Sequence, residues 1–316
     1  MTDITIDEYE PNDLDGVLLL LKESLGETSL LHRTQEWFGW KHFDNPFGQS
    51  IMLVARADER IVGLRAFMRW ELVTPDGSRL RCVRAVDTAT HPDYQRRGIF
   101  RLLTESALEV ARADGVDMVF NTPNPKSGAG YLKMGWREIG HIGVMVAPKP
   151  LRLMQGRGTS QKPDLAGLLT NAEPARDLDI ADRQPRGLRT PRTPAYLAWR
   201  FGGNPEATYL CVRKDRGTAI LRANVRNGRT ELVVSDVFGS EARRALVSAR
   251  QRSRAAYLVT WFPKGSPERG AALKAGFAPL PKVQALRLIA RPLTALPVDI
   301  ATLDAWDFSM SDLELL

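Results

Sequence analysis

The stretch RTQEWFGWKHFDNPFG, beginning at Arg33, returns in the second half of the chain as RTPAYLAWRFGGNPEA, beginning at Arg192. Arg33, Thr34, Trp40, Asn45 and Pro46 match Arg192, Thr193, Trp199, Asn204 and Pro205 without a gap. Three further blocks follow in the same order. VARADERIVGLRA from Val54 parallels VRKDRGTAILRA from Val212, LKMGW at Leu132–Trp136 answers LKAGF at Leu273–Phe277, and VAPKPL ending at Leu151 answers IARPL ending at Leu293. A turn signal follows the second block in each half, Asp76-Gly77 in one and Asn227-Gly228 in the other. Four blocks in register are the mark of an internal duplication. The chain therefore has to build one fold of roughly 120–150 residues twice, a normal domain size. The expected layout is a first domain over 1–150, a Gly-, Pro-, Arg- and Asp-rich linker over 151–190 with room for one short helix, and a second domain over 191–316.

Composition narrows the class. With 43% hydrophobic and 26% charged residues in 316, the chain can bury a sizeable core. No run approaches the ~18 apolar residues of a membrane helix, and the opening MTDITIDEYEPNDLDG is acidic rather than a basic and apolar leader, which points to a cytoplasmic protein with no membrane partner. Cys82 and Cys211 lie in separate apolar runs and are expected as buried free thiols. His32, His42, His91 and His141 lack the paired spacing of a zinc site, so no metal is expected. The net charge of +7 is uneven, about three acidic charges in excess over 1–150 and about ten basic ones over the rest. The later arginines, such as Arg243, Arg244, Arg250, Arg252 and Arg254, have no interleaved aromatic platform, which disfavours nucleic acid and favours a solvated basic face.

Within the first copy, strands and helices alternate. ITIDEYE reads as a strand, and Asn12 or Asp13 can cap a helix carrying Val17, Leu18, Leu21 and Leu25. Strands are expected over 51–56, 61–71, 80–90 and 118–121, a short helix over 127–133 and a closing strand over 136–146. Ile99, Leu102, Leu103, Ser106, Ala107, Val110 and Ala111 share a helical face ended by Asp114-Gly115. The fold class is α/β (α+β), two tandem domains each with a mixed central sheet flanked by helices. The tail around Ala305–Ser309 reads as a closing strand or a docked segment.

TATHPDYQRRGIFRLL, from Thr88 to Leu103, joins a strand to the best amphipathic helix of the chain. Gly98 stands where the backbone must approach something closely, with Arg96, Arg97 and Arg101 nearby, and the helix start offers unpaired amides and a positive dipole end. That construction suits a pyrophosphate, and an ordinary capped helix with surface arginines would look much the same.

A family resemblance separates the two. Gln95-Arg96-Arg97-Gly98-Ile99-Phe100 resembles the pyrophosphate loop of the GNAT N-acetyltransferase superfamily, departing at Phe100, where a small residue is usual. Downstream, Asn124, Ser127, Tyr131, Gly135 and Trp136 resemble its second signature, so the chain is similar to a tandem two-domain member with a degenerate second copy. The resemblance implies an acetyl-CoA or other acyl-CoA co-substrate. Thr88, Ala89 and Thr90 would pair with the pantetheine arm, Gln95 to Phe100 would cradle the pyrophosphate, and Asn124 with Ser127 would hold the arm near the thioester. Tyr131 would be the general acid that protonates the departing thiolate, since a phenol's pKa lies slightly above a thiol's. A packed aromatic is the competing role for Tyr131, but its match in the second copy is Ala272, which packing alone would not predict.

The general base is less determined. Some relatives use a Glu where this chain has Val119. Asp87 is the nearest acidic candidate, yet strict strand alternation turns it away from the Thr88 and Thr90 side unless a bulge intervenes, and the second copy keeps it as Asp236. A water chain or the chain's own C-terminal carboxylate would also serve. Trp37, Trp40, His42 and Phe43 would lie near the acceptor side, Trp37 as a wall for the substrate, or in the helix core. The expected reaction is acyl transfer to a primary amine of a small molecule by a monomer or homodimer. A protein or peptide acceptor, or a CoA-binding sensor without turnover, are the alternatives. One cofactor site per chain is expected, because Asp236 is followed by only VFGSEARRA before the next helix and the ungapped match to Asn124 is Gly265.

Overall fold

The computed structural model describes residues 3–27, 32–149, 165–176, 178–180, 182–226, 228–280 and 286–313. Residues 151–164 of the expected linker, Asn227 of the second turn signal and the C-terminal carboxylate lie outside the described residues. Fourteen strands are described: β1 Ile4–Glu8, β2 Ile51–Ala57, β3 Arg60–Val73, β4 Arg79–Thr90, β5 Met118–Asn121, β6 Arg137–Ile142, β7 Met145–Pro148, β8 Glu173–Pro174, β9 Tyr209–Lys214, β10 Gly217–Arg226, β11 Arg229–Phe238, β12 Tyr257–Thr260, β13 Ala278–Pro279 and β14 Leu286–Pro292. They form two seven-stranded mixed sheets, β1-β2-β3-β4-β5-β14-β6 and β13-β7-β12-β11-β10-β9-β8.

The chain divides into two units, residues 1–72, 78–140 and 287–301 in one, and 73–77, 141–286 and 302–316 in the other. The two matched end segments have changed places. Strand β7, which follows the first copy, pairs with β12 through Val259↔Val146, and β14, which follows the second, pairs with β5 through Ala290↔Phe120. The single closing strand expected over 136–146 is thus two: β6 stays in the first sheet, and after Gly143-Val144 the chain enters the second sheet as β7.

Local signals account for what the two copies share. Thr34 Oγ1 accepts the Trp37 amide at 3.1 Å and Thr193 Oγ1 the Tyr196 amide at 3.1 Å, the same N-cap written twice. Asn45 Oδ1 accepts the Phe47 amide at 3.0 Å and Asn204 Oδ1 the Glu206 amide at 2.9 Å, so each Asn-Pro is an Asx turn that ends the helical segment.

In the first unit, α1 (Leu14–Leu25) buries Val17, Leu20 and Leu21, and α2 (Gln35–His42) follows it. The crossover helix α3 (Ile99–Ala113) links β4 to β5, which run parallel. It buries Ile99, Leu103, Ala107, Leu108 and Ala111, each large aliphatic worth about 1.5–3 kcal/mol. Its buried face is turned slightly from the expected one, with Leu102 exposed and Thr104 and Leu108 inside. Gly63 on β3 admits this helix: a Cβ there would stand 2.8 Å from Ile99 Cγ2 and 2.9 Å from Leu103 Cδ1, so any larger residue would force the helix off the sheet.

In the second unit, β9, β10 and β11 form an antiparallel meander covered by the helix Ala242–Arg252, over a core that includes Val212, Leu221, Leu232, Leu246 and Phe277. The tail is a docked segment. Trp306 and Phe308 are buried edge to face at 5.0 Å, and Asp312 bonds Arg192. Cys82 and Cys211 are buried free thiols. No helix among the described residues is long and apolar enough to cross a membrane, and none of their His, Cys, Asp and Glu groups could hold a metal ion.

Candidate active site

Strands β4 and β5 stay paired only at Cys82↔Met118, Val83↔Val119 and Arg84↔Phe120. Beyond that point they part. Ala85–Thr90 on one side and Asn121–Asn124 on the other line a cavity of about 250 Å³, closed by Phe100, Ser127 and Tyr131. A larger cleft of about 830 Å³ adjoins it, sharing Thr88, Ala89, Thr90, Phe100, Asn124 and Ser127 and extending along Gln95, Arg96, Gly98 and Arg101. Unpaired strand backbone at the mouth of one cavity and a helix start at the floor of the other give a continuous trough, the shape an extended phosphorylated thioester needs.

The floor is built for an anion. Arg96 and Gly98 both take positive φ, 63° and 81°, on either side of Arg97, so the backbone alternates in hand and its amides turn to one side, a nest that runs into the first turn of α3. The first intrahelical bonds at this end are from the Arg101 and Leu102 amides to Gly98 O, which leaves the preceding amides facing the cleft. A Cβ on Gly98 would meet nothing within 4 Å, so the space in front of it is open. Arg97 stacks on Tyr94 at 4.8 Å.

The second unit keeps the glycine and loses the cradle. Gly239, with φ 85°, also precedes a helix, but a Cβ there would collide with the Arg216 carbonyl oxygen. That carbonyl accepts the Glu241 amide at 3.4 Å, so the β9–β10 turn covers the helix start that an anion would use. The next helix start corrects the ungapped match: Ser266, not Gly265, occupies the place of Asn124. Asn124 Oδ1 caps α4 (Pro125–Lys133) through the Ser127 amide at 2.9 Å, and Ser266 Oγ caps Pro267–Lys274 through the Arg269 amide at 3.1 Å. The second helix is one residue shorter, which shifted the match. Ala272, fully buried, does stand where α4 has Tyr131.

Tyr131 lines the smaller cavity with its ring against Phe100 at 5.3 Å and Trp136 at 5.0 Å. Its hydroxyl accepts from Arg65 Nη1 at 2.7 Å, and the same nitrogen donates to Thr88 Oγ1 at 2.6 Å. Phe100 fills the place of the family's small residue because Gly130 leaves room for it: a Cβ on Gly130 would stand 2.9 Å from Phe100 Cε1.

Asp87 lies in the same cavity wall, and its φ of 43° supplies the break in alternation that brings it there. Behind it, Lys41 Nζ approaches its carboxylate at 2.7 Å and His42 Nε2 at 3.1 Å, both from α2 and both buried. Burial alone would raise the Asp87 carboxyl, but the Lys41 ammonium and the His42 imidazole outweigh it and hold the group below the ordinary carboxylate range. Burial pushes His42 down, so its ring is neutral. Nε2–H then donates to Asp87, and Nδ1 accepts from Ser50 Oγ at 2.9 Å. Asp236, the match in the second unit, is bound by Arg192 Nε at 2.9 Å and Ser311 Oγ at 3.0 Å. Trp37 is fully buried beneath the Lys41 ammonium, 4.6 Å from its ring centre, and lines neither cavity.

Of the expected residues, the trough thus brings together Thr88, Ala89, Thr90, Gln95, Arg96, Gly98, Ile99, Phe100, Asn124, Ser127, Tyr131 and Asp87, leaving Arg97 beside it and Trp37 behind it. Two further residues of the site, Arg65 and Lys41, belong to no motif in the sequence. A lone arginine in the apolar run IVGLRAFM was the available signal for the first; nothing marked the second.

Residues 5–139 match the acetyltransferase (GNAT) domain family. No curated protein matches the sequence. Among solved structures, the chain resembles a GCN5-related N-acetyltransferase from Anabaena variabilis (TM-score 0.62, 13% identity, 92% of this chain and 72% of that one). It also resembles Eis1 from Mycobacterium abscessus (0.57, 15%, 92% and 73%) and, over nearly the full length of both chains, a candidate acetyltransferase from Pyrococcus horikoshii (0.55, 12%, 99% and 95%). The family match is thus confined to residues 5–139, and at such identities the likeness to these acetyltransferase structures over both mixed sheets is one of fold.

Proposed function

We propose that the first unit transfers an acetyl or other acyl group from acyl-CoA to a primary amine of a small molecule, with one cofactor site per chain. The observation that carries this is the parting of β4 and β5 above the Arg96–Gly98 nest, with Tyr131 at the inner end. The pyrophosphate sits on the nest and the start of α3, between Gln95 and Phe100. The arm runs along Thr88, Ala89 and Thr90 past Asn124 and Ser127. The amine nitrogen attacks the thioester carbonyl carbon, the C–S bond breaks, and the departing sulfur takes the Tyr131 proton while the amine's surplus proton leaves to water. Asp87 is a poor acceptor for that proton because Lys41 and His42 hold it ionised; it anchors α2 behind the cavity instead.

Release of thiol from acetyl-CoA in the presence of pooled small amines tests the reading, with peptides bearing free amino groups as a second arm. Amine-dependent release with the small pool supports it. Release with peptides alone moves the acceptor to protein, and acetyl-CoA binding without release in either arm makes the chain a CoA-binding module.

A further inference from the structure

Arg65 sits in the middle of β3, fully buried, and makes its hydrogen bonds to three hydroxyls: Thr88, Tyr131 and Thr104. Among the described residues no carboxylate pairs with it, and its Nε has no hydrogen-bond partner. The guanidinium lies over the Phe100 ring at 5.0 Å and the Tyr131 ring at 5.4 Å. A buried cation without a counter-ion costs several kcal/mol of desolvation, and an aliphatic would pack the strand at lower cost. What the arginine adds is a rigid fork with one arm on Tyr131 and the other on α3.

We propose that Arg65 is a positioning residue for proton transfer from Tyr131, a proposal that rests on Tyr131 being the general acid. By donating to the phenol oxygen, Arg65 occupies a lone pair, and among the described residues the Tyr131 hydroxyl donates to no acceptor. The phenol proton is therefore left for the sulfur. As the proton moves, negative charge grows on an oxygen already facing a fixed cation, which favours the transition state over the ground state. Thr104, whose hydroxyl donates to Phe100 O at 2.6 Å and accepts from Arg65, fixes the other arm to α3.

A cycle of kcat values at saturating acetyl-CoA and amine separates this role from packing. Packing has to be excluded because the second copy keeps an arginine, Arg222, where Ala272 replaces Tyr131. Arg65→Met should lower kcat by about tenfold or more with little change in acetyl-CoA affinity, Arg65→Lys should recover part of the loss, and Arg65→Met should cost nothing further in a Tyr131→Phe background. Thr104→Val tests the same arm with a smaller change: it should slow the parent and be silent beside Tyr131→Phe. Independent losses that multiply in the double variants would overturn the positioning role. A Tyr131→Phe enzyme of undiminished rate would instead remove the reading of Tyr131 as acid, and this proposal with it.

Discussion

The Lys41 ammonium lies 2.7 Å from the Asp87 carboxylate with both groups nearly closed to solvent. Removing one partner strands the other in the protein interior, which costs on the order of 3–5 kcal/mol. Asp87→Asn is therefore expected to lower thermal stability sharply while leaving the shape of the rate-against-pH curve unchanged. The double variant Asp87→Asn with Lys41→Met should recover much of the stability. A shifted acid limb in Asp87→Asn would make Asp87 the base after all.

The same cluster sets a direction for stability against pH. His42 is held below its ordinary value by burial, so as pH falls through about 6.5 the unfolded chain takes up a proton that the folded one refuses, and stability drops. Asp87, also held below its ordinary value, adds a loss at lower pH, from about 4 downward through its folded value. The melting temperature should decline between pH 7 and pH 5, and His42→Gln should flatten that decline. An unchanged slope in the variant would place the titrating group elsewhere.

Tyr131→Phe should leave acetyl-CoA binding nearly intact and lower turnover by roughly ten- to a thousandfold, as expected for loss of an acid. Single-turnover rates beside a binding titration check both halves of that statement. Equal rates would reduce Tyr131 to packing against Phe100 and Trp136.

The exchange of β7 and β14 has a consequence for dissection. A fragment of residues 1–150 lacks the strand that lies between β5 and β6 in the first sheet and carries β7 with no partner. It should show no cooperative melting transition alone and regain one when produced together with residues 151–316. Cooperative unfolding of the isolated fragment would show that β14 is dispensable to that sheet.

Much of this was written in local signals. The duplicated Thr caps and Asn-Pro turns, the α3 stripe and the nest glycine each follow from one side chain acting on nearby backbone, which is why the sequence reports them. The strand exchange does not. VAPKPL and IARPL carry the same pattern because both suit an antiparallel slot, and a pattern cannot say which of two equivalent sheets supplies it. Alternation pointed Asp87 away from the site because a single positive φ in the strand leaves no mark in hydrophobicity. The resemblance puts Trp37 and His42 near the acceptor side, with the helix core as the alternative; both are fully buried, Trp37 under the Lys41 ammonium and His42 on Asp87, a cluster whose ion pairs join segments far apart in sequence.

The central claim is one acyl-CoA site per chain, seated on the nest at Gly98. Gly98→Asp adds a negative charge where the pyrophosphate would lie; its side chain meets open space, but the left-handed φ of 81° costs an aspartate about 1–2 kcal/mol, so the fold should survive with a lowered melting temperature. Calorimetric titration with acetyl-CoA is expected to give one site for the parent chain and none for Gly98→Asp, with Gly98→Ala, which carries the same backbone strain without the charge, keeping the site. Two sites in the parent, or normal binding by Gly98→Asp, would contradict the account.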